Sequence, residues 1–228
     1  NNEKTIGEVV KETLCFCDDV IVVNDGCTDS TAQIIGEIDN ITVVAYSQNR
    51  GKGHALQQGF RKALSMGFAY AITLDADGQH KPEDIPLFLK ANQEHPGALI
   101  IGARPLQGVE RSKGSDFANQ FSNFWFFVQT GKRLEDTQTG YRLYPLHKLH
   151  GLSLLTNRYE AELELLVFAS WHGTEIVSIP IQVYYPPREE RISHFRPGMD
   201  FARISLLNTL LCVLAIIYGL PYRLYRKM

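Results

Sequence analysis

The chain has 228 residues, 44% hydrophobic and 21% charged, enough for one globular domain with a substantial core or one domain plus an appendage. A formal net charge of −2 gives no electrostatic case for a nucleic-acid partner. The four cysteines, Cys15, Cys17, Cys27 and Cys212, have neither zinc-site spacing nor the pattern of a disulfide framework, so a reducing, cytosolic setting is the default expectation.

Ile6, Val9, Val10 and Leu14 recur at helical spacing between Thr5 and Cys15. The run Asp19–Val23 predicts a strand that ends at Asn24-Asp25-Gly26-Cys27-Thr28-Asp29-Ser30-Thr31. That is a tight Gly turn in which Asp29 or Ser30 can cap a helix over Thr31–Ile38. A strand over Ile41–Tyr46 leads to Asn49-Arg50-Gly51-Lys52-Gly53, and a helix is predicted from Ala55 to Met66. Next, the apolar run Tyr70–Leu74 reads as a buried parallel strand and stops at Asp75-Ala76-Asp77-Gly78-Gln79-His80. Two carboxylates two residues apart repel each other unless a cation sits between them, and a hard divalent ion shared with substrate phosphates is the usual solution. The alternative is a turn with two solvated aspartates.

Lys81-Pro82-Glu83-Asp84 starts another helix, with Pro and acids in its first turn. Ala98–Gly102 is a further strand, ending at Arg104. Helix and strand alternate, which means an α/β sandwich on a mostly parallel sheet, and ligands of such sheets bind at the carboxyl ends of the strands. Asp25, Asp75, Asp77 and Arg104 all fall there.

Beyond the polar loop Gly108–Gly114, a helix over Asp116–Val128 carries Phe and Trp on more than one face, suited to core, lipid or a greasy substrate. Leu134–Tyr144 is a polar stretch entering a strand, Tyr159–Ser170 a helix opening with Glu160 and Glu162, and Glu175–Tyr185 a strand. Pro186–Arg196 is a charged loop, and His54, His80 and His194 lie near motifs without metal spacing. The apolar run Ser205–Leu220, followed by Arg223, Arg226 and Lys227, is shorter than the ~20 residues a bilayer requires. It fits a helix in the membrane interface, the end of a longer membrane segment, or a docked core helix. The expected division is a catalytic domain over 1–200 and an apolar, basic segment over 201–228.

Taken together these stretches resemble a family-2 glycosyltransferase of the GT-A fold, in the dolichyl- or polyprenyl-phosphate hexose synthase branch. Asn24–Thr31 is similar to the family's D-D-G-S-x-D-x-T, with Asn for the first Asp and Cys27 for Ser. Asn49–Gly53 matches N-x-G-K-G, and Asp75–Gln79 matches the metal motif D-A-D-x-Q. Asp136-Thr137-Gln138-Thr139-Gly140-Tyr141-Arg142 is similar to the acceptor-side D-x-x-S/T-G-F/Y-R. Asn2-Glu3 corresponds to the tail of a first-strand element, so that strand is expected upstream of Asn1.

The resemblance implies an inverting, metal-assisted transfer of a hexose from a UDP- or GDP-sugar to a membrane acceptor such as polyprenyl phosphate, at the cytoplasmic face of the membrane. It implies a Mg²⁺ or Mn²⁺ held by Asp75, Asp77 and Gln79. The nucleotide-sugar would meet Glu3, Asp25, Gly26, Asp29, Lys52 and the Asp75-Ala76-Asp77 segment. Candidate groups on the acceptor or phosphate side are Arg111, Lys113, Asp136, Thr139, Gly140, Arg142, Arg191 and Arg196. Asp77 and Arg104 are the candidate catalytic groups. Glu160 and Glu162 join them as bases if the acceptor is a glycan or lipid hydroxyl. The C-terminal helix is expected to meet the membrane surface. A nucleotide-binding module without catalysis is the remaining alternative.

Overall fold

The computed structural model describes residues 1–104, 113–149, 151, 154–185 and 197–225. In chain order the elements are α1 (Ile6–Leu14), β1 (Val20–Asp25), α2 (Thr31–Gly36), β2 (Ile41–Tyr46), α3 (Lys52–Ser65), β3 (Tyr70–Thr73), α4 (Ile85–Glu94) and β4 (Leu99–Ala103). Then follow α5 (Lys113–Thr130), β5 (Arg142–Pro145), α6 (Leu146–Leu149), α7 (Glu160–Trp171), β6 (Ile176–Pro180), α8 (Pro197–Leu214), a π-helical turn (Ala215–Gly219) and α9 (Leu220–Tyr225).

The strands form two ladders. β1 and β2 pair in parallel, with Val20 opposite Ile41 and Asp25 opposite Tyr46. The other ladder runs β3-β5-β4-β6. Here β4 and β6 are parallel, and β5 lies antiparallel between β3 and β4, so β3, β4 and β6 share one direction. The sheet is mostly parallel, as expected, and carries one reversed strand. Among the described residues no strand joins β1 to β3; α3 packs against both and covers the two ladders from one side.

Alternation along the strands divides the core. Leu99, Ile101 and Tyr144 face one way, into a cluster with Phe126, Leu166 and Trp171. Ile100 and Leu143 face the other way, against Phe88, Ile85 and Ile181. Helix α4 thus closes one face of the sheet, and α7, flanked by α5 and α8, closes the other: three layers. α7 is buried over almost its whole length because α5 and α8 cover it.

Two predicted boundaries shift for physical reasons. The strand expected over Glu175–Tyr185 stops at Pro180, which has no N–H to donate; a lone bridge from Val183 to His80 resumes the contact. Helix α3 starts at Lys52, three residues before the predicted Ala55, because Gly51 at φ 100° turns the chain directly into it.

Candidate active site

Four loops meet at the carboxyl ends of β1, β2, β3 and β4. In the first, Asp25 accepts backbone N–H bonds from Arg50 (2.8 Å) and Gly51 (2.9 Å), tying the β1 turn to the loop before α3. Asp29 accepts from the backbone N–H groups of Thr31 and Glu3, at the start of α2, and Glu3 returns a carboxylate oxygen to the N–H of Ser30. Thr5 donates to the carbonyl of Ala76 at 2.6 Å. The segment before α1 therefore stitches the β1 turn to the aspartate loop.

The glycines of the loop Asn49–Gly53 dock on the chain entering α7. A Cβ at Gly51 would sit 2.6 Å from the carbonyl oxygen of Asn157, and one at Gly53 would overlap Ala161. Docking aims Lys52 inward. Its Nζ lies 2.8 Å from Asp75 Oδ1 and 3.0 Å from Glu162 Oε2. Beneath the ion pair passes Gly140, where a Cβ would stand 2.6 Å from Asp75 Oδ2 and 2.7 Å from Lys52 Nζ. That crowding is the local reason for glycine in the Thr139-Gly140 step.

Charge follows from these contacts. Burial alone would raise the Asp75 carboxyl, but the Lys52 ammonium, with lesser help from His80 and Arg142, overrides it and holds the pKa down to about 2. Burial opposes the charge on Lys52 as well, yet Asp75 and Glu162 raise its pKa. Asp77 has no such cation. Burial and the Asp75 carboxylate both push it up, opposed by the N–H of Gln79 at 3.0 Å. His80, 6% exposed and packed against the Tyr141 ring, is held below its ordinary value by burial, against the pull of both aspartates. Its Nδ1 is buried without a hydrogen-bond partner.

These residues fit a hard divalent ion. Asp75 and Glu162 pair with the Lys52 ammonium, and Asp77 lies close enough to Asp75 to feel its charge; with all three carboxylates ionised, two negative charges remain over, which match such an ion. Asp77 and the amide oxygen of Gln79 are the donors not committed to Lys52. Among the described residues no three His, Cys, Asp or Glu side chains form a complete metal cage, so substrate oxygens would have to finish the coordination.

On the acceptor side the structure corrects several expectations. Asp136 is fully buried and binds Arg104 through both oxygens, to Nε at 2.5 Å and Nη2 at 2.9 Å. It orients Arg104 and has no surface for an acceptor. Arg142 is also fully buried, its guanidinium donating to the carbonyls of Thr139, Glu162 and Thr137. It braces the 137–142 segment against α7; a ligand phosphate cannot reach it. Thr139 is 1% exposed and bonded within the same segment. Lys52, expected to meet the nucleotide-sugar, is paired with Asp75 and Glu162. Arg104 stays at the site, 16% exposed in its side chain and close enough to Asp75 to feel its charge.

Glu160 and Glu162 are 7% and 6% exposed, each with a carboxylate oxygen buried and unpartnered. Arg111, Arg191 and Arg196 lie outside the described residues; Lys113 opens α5, but its side chain is not among those described.

Sequence reasoning missed Glu164. Fully buried, it accepts from the backbone N–H groups of Leu155 and Thr156 and from the Thr156 hydroxyl, holding the stretch that receives Gly51 and Gly53. Its place in Glu160-Ala161-Glu162-Leu163-Glu164 was the available signal.

Residues 1–144 match the family model described as glycosyl transferase family 2. The chain is 29% identical over 208 residues to the UDP-N-acetylglucosamine–dolichyl-phosphate N-acetylglucosaminyltransferase of Methanococcus voltae, covering 81% of this chain and 82% of that one. It is 28% identical to the undecaprenyl-phosphate mannosyltransferase of Micrococcus luteus, covering 72% and 70%. In structure it is similar to glucosyl-3-phosphoglycerate synthase of Mycobacterium tuberculosis, solved with Mn²⁺, UDP-glucose and phosphoglyceric acid: TM-score 0.66, 18% identity, covering 94% and 76%. That likeness carries the GT-A fold. With the family model spanning most of the sheet and the loops just described, the chain belongs to glycosyl transferase family 2.

Proposed function

We propose that the protein moves a hexose from a nucleoside diphosphate sugar to a polyprenyl phosphate, with inversion at the anomeric carbon. The observation that carries this reading is the cluster of Asp75, Asp77 and Glu162 around a single cation, Lys52, which pairs with Asp75 and Glu162 and leaves Asp77 beside them without a cation in contact. It stands in a chain related over most of its length to transferases named for dolichyl and undecaprenyl phosphate.

Asp77, Gln79 and, through water, Asp75 would hold Mg²⁺ or Mn²⁺. When bound, that ion neutralises charge developing on the departing nucleoside diphosphate. Lys52 keeps Asp75 ionised and in place beforehand. Arg104, fixed by Asp136, offers a guanidinium edge to a phosphate. In the transfer, an oxygen of the lipid phosphate bonds to the anomeric carbon as the bond to the diphosphate breaks, and the electron pair leaves with the diphosphate.

An anionic phosphate needs no general base, whereas a hydroxyl acceptor does. Here Glu162 is committed to Lys52 through one oxygen, and the other is sealed from solvent. That favours the phosphate. The helix over residues 198–222 supplies the membrane contact a lipid acceptor requires, on the cytoplasmic face.

Membranes carrying the protein, given UDP- or GDP-hexoses, Mn²⁺ and a polyprenyl phosphate, test this directly. The expected product is a lipid-linked sugar labile to mild acid. An acid-stable glycoside, or donor binding without transfer, overturns the proposal.

A further inference from the structure

We propose that Asp84 is a positioning residue for the divalent ion: it holds residues 182–184 along the loop Gln79–Asp84, and that segment in turn fixes the backbone from which Gln79 reaches the ion. The inference rests on the ion proposed above and adds what orders one of its donors.

Asp84 stands at the N-cap of α4, where an aspartate ordinarily accepts an N–H bond from the first turn of its own helix. Here that bond is not made. The carboxylate, 2% exposed, accepts instead from the backbone N–H of Gln182 at 2.7 Å, 98 positions further along the chain. It is not needed to join α4 to the sheet, because Ile85 and Phe88 already pack with Ile181. What it holds is the segment beyond the strand.

That segment has outrun its sheet partner. β4 ends at Ala103, whose carbonyl accepts from the Ile181 N–H at 3.2 Å. In extended chain the N–H groups of successive residues point to opposite edges, so those of Gln182 and Tyr184 share the other edge. Both find acceptors in one loop. Gln182 bonds Asp84, Tyr184 bonds the carbonyl of Gln79 at 2.8 Å, and Val183 is bridged to His80 between them. The Lys81 ammonium, 5.6 Å over the Tyr184 ring, closes the same seam.

Gln79 needs that support. It follows Gly78, which at φ 75° leaves the chain free to turn. Its own N–H bonds Asp77, itself a donor to the ion, so that bond cannot hold Gln79 independently of the metal. Tyr141 steadies the loop further on, at His80 and the Lys81 carbonyl. The Tyr184 N–H on the Gln79 carbonyl is therefore the fixed point, and Asp84 keeps Tyr184 within reach of it. Groups that orient a ligand without touching the metal govern its affinity by about ten- to a hundredfold.

The test is calorimetric titration of Mn²⁺ into the protein with UDP, and separately with GDP, corrected for the nucleotide alone. Expected is Mn²⁺ binding about tenfold weaker in Asp84→Ala than in wild type, and restored in Asp84→Asn, whose amide oxygen still accepts from Gln182. Gln79→Ala should weaken binding too, and adding Asp84→Ala to it should cost nothing further, because the two act through one donor. Gln182→Pro, which removes the N–H at an exposed residue, should match Asp84→Ala and stands in for it where that variant does not fold. Full Mn²⁺ affinity in Asp84→Ala or Gln182→Pro overturns the inference, as does a loss that simply adds to that of Gln79→Ala. Wild type that takes up no Mn²⁺ with either nucleotide strikes the proposed ion and the inference with it. Wild type and Asp84→Ala that bind alike while Gln79→Ala fails strike the role of Asp84 and leave the ion standing.

Discussion

Replacing Lys52 by Met keeps the length of the stem and removes the ammonium that lies 2.8 Å from Asp75 and 3.0 Å from Glu162. The Asp75 carboxyl drops from 3.8 to about 2 in the folded protein. That is a little under two pH units, or about 2 kcal/mol at about 1.36 kcal/mol per unit. Asp75 is 31% exposed in its side chain, so solvent screening trims the figure to about 1–2 kcal/mol. Glu162, 7% exposed, loses its cation too, which adds to the cost.

Because the folded value is depressed, this stabilisation is fully present above the unfolded value of 3.8 and is lost as pH falls through about 2. Urea denaturation in EDTA, at about pH 7, 5 and 3, should show Lys52→Met less stable by about 2 kcal/mol at the two higher values, with the gap narrowing at the lowest. Equal stability at all three, or a gap indifferent to pH, refutes the reasoning.

Gly140→Ala places a methyl where Asp75 and Lys52 now meet. Donor affinity in the presence of Mn²⁺ should fall about tenfold by calorimetry, since the pair must shift by more than a bond's tolerance. Asp136→Asn leaves the Arg104 guanidinium facing a neutral group at a fully buried position. A loss of about 2 kcal/mol in chemical denaturation is expected, together with lower turnover, because Arg104 is no longer held in one orientation.

Much of the framework was legible because apolar runs ending in Asp announce strands with a site at their tips. Tyr70–Leu74 followed by Asp75 and Asp77 is the clearest case, and Ile41–Tyr46 was read to its last residue. What was not legible depends on contacts between distant segments. Nothing near Lys52 in sequence says that its glycine neighbours dock on Asn157–Arg158, nor that this docking turns Lys52 onto Asp75 and Glu162.

Arg142 misled for a different reason. Its place in the acceptor-side motif put it among the ligand-binding groups, whereas backbone carbonyls here satisfy it internally. The reversed strand β5 was likewise invisible, since strand direction is set by the path through the 131–141 segment and not by periodicity. In the apolar C-terminal run, Asn208 makes the polar contact that fastens the helix to Gln129.

The central claim is that the cluster after β3 binds a divalent ion together with a sugar diphosphate. The most direct measurement is calorimetric titration of UDP- and GDP-sugars, with and without Mn²⁺, into the wild-type protein and Asp77→Asn, whose side chain keeps its shape and loses its charge. Expected is donor binding that requires Mn²⁺ in wild type and is abolished in Asp77→Asn. Binding of equal strength in both proteins, indifferent to the metal, would contradict it.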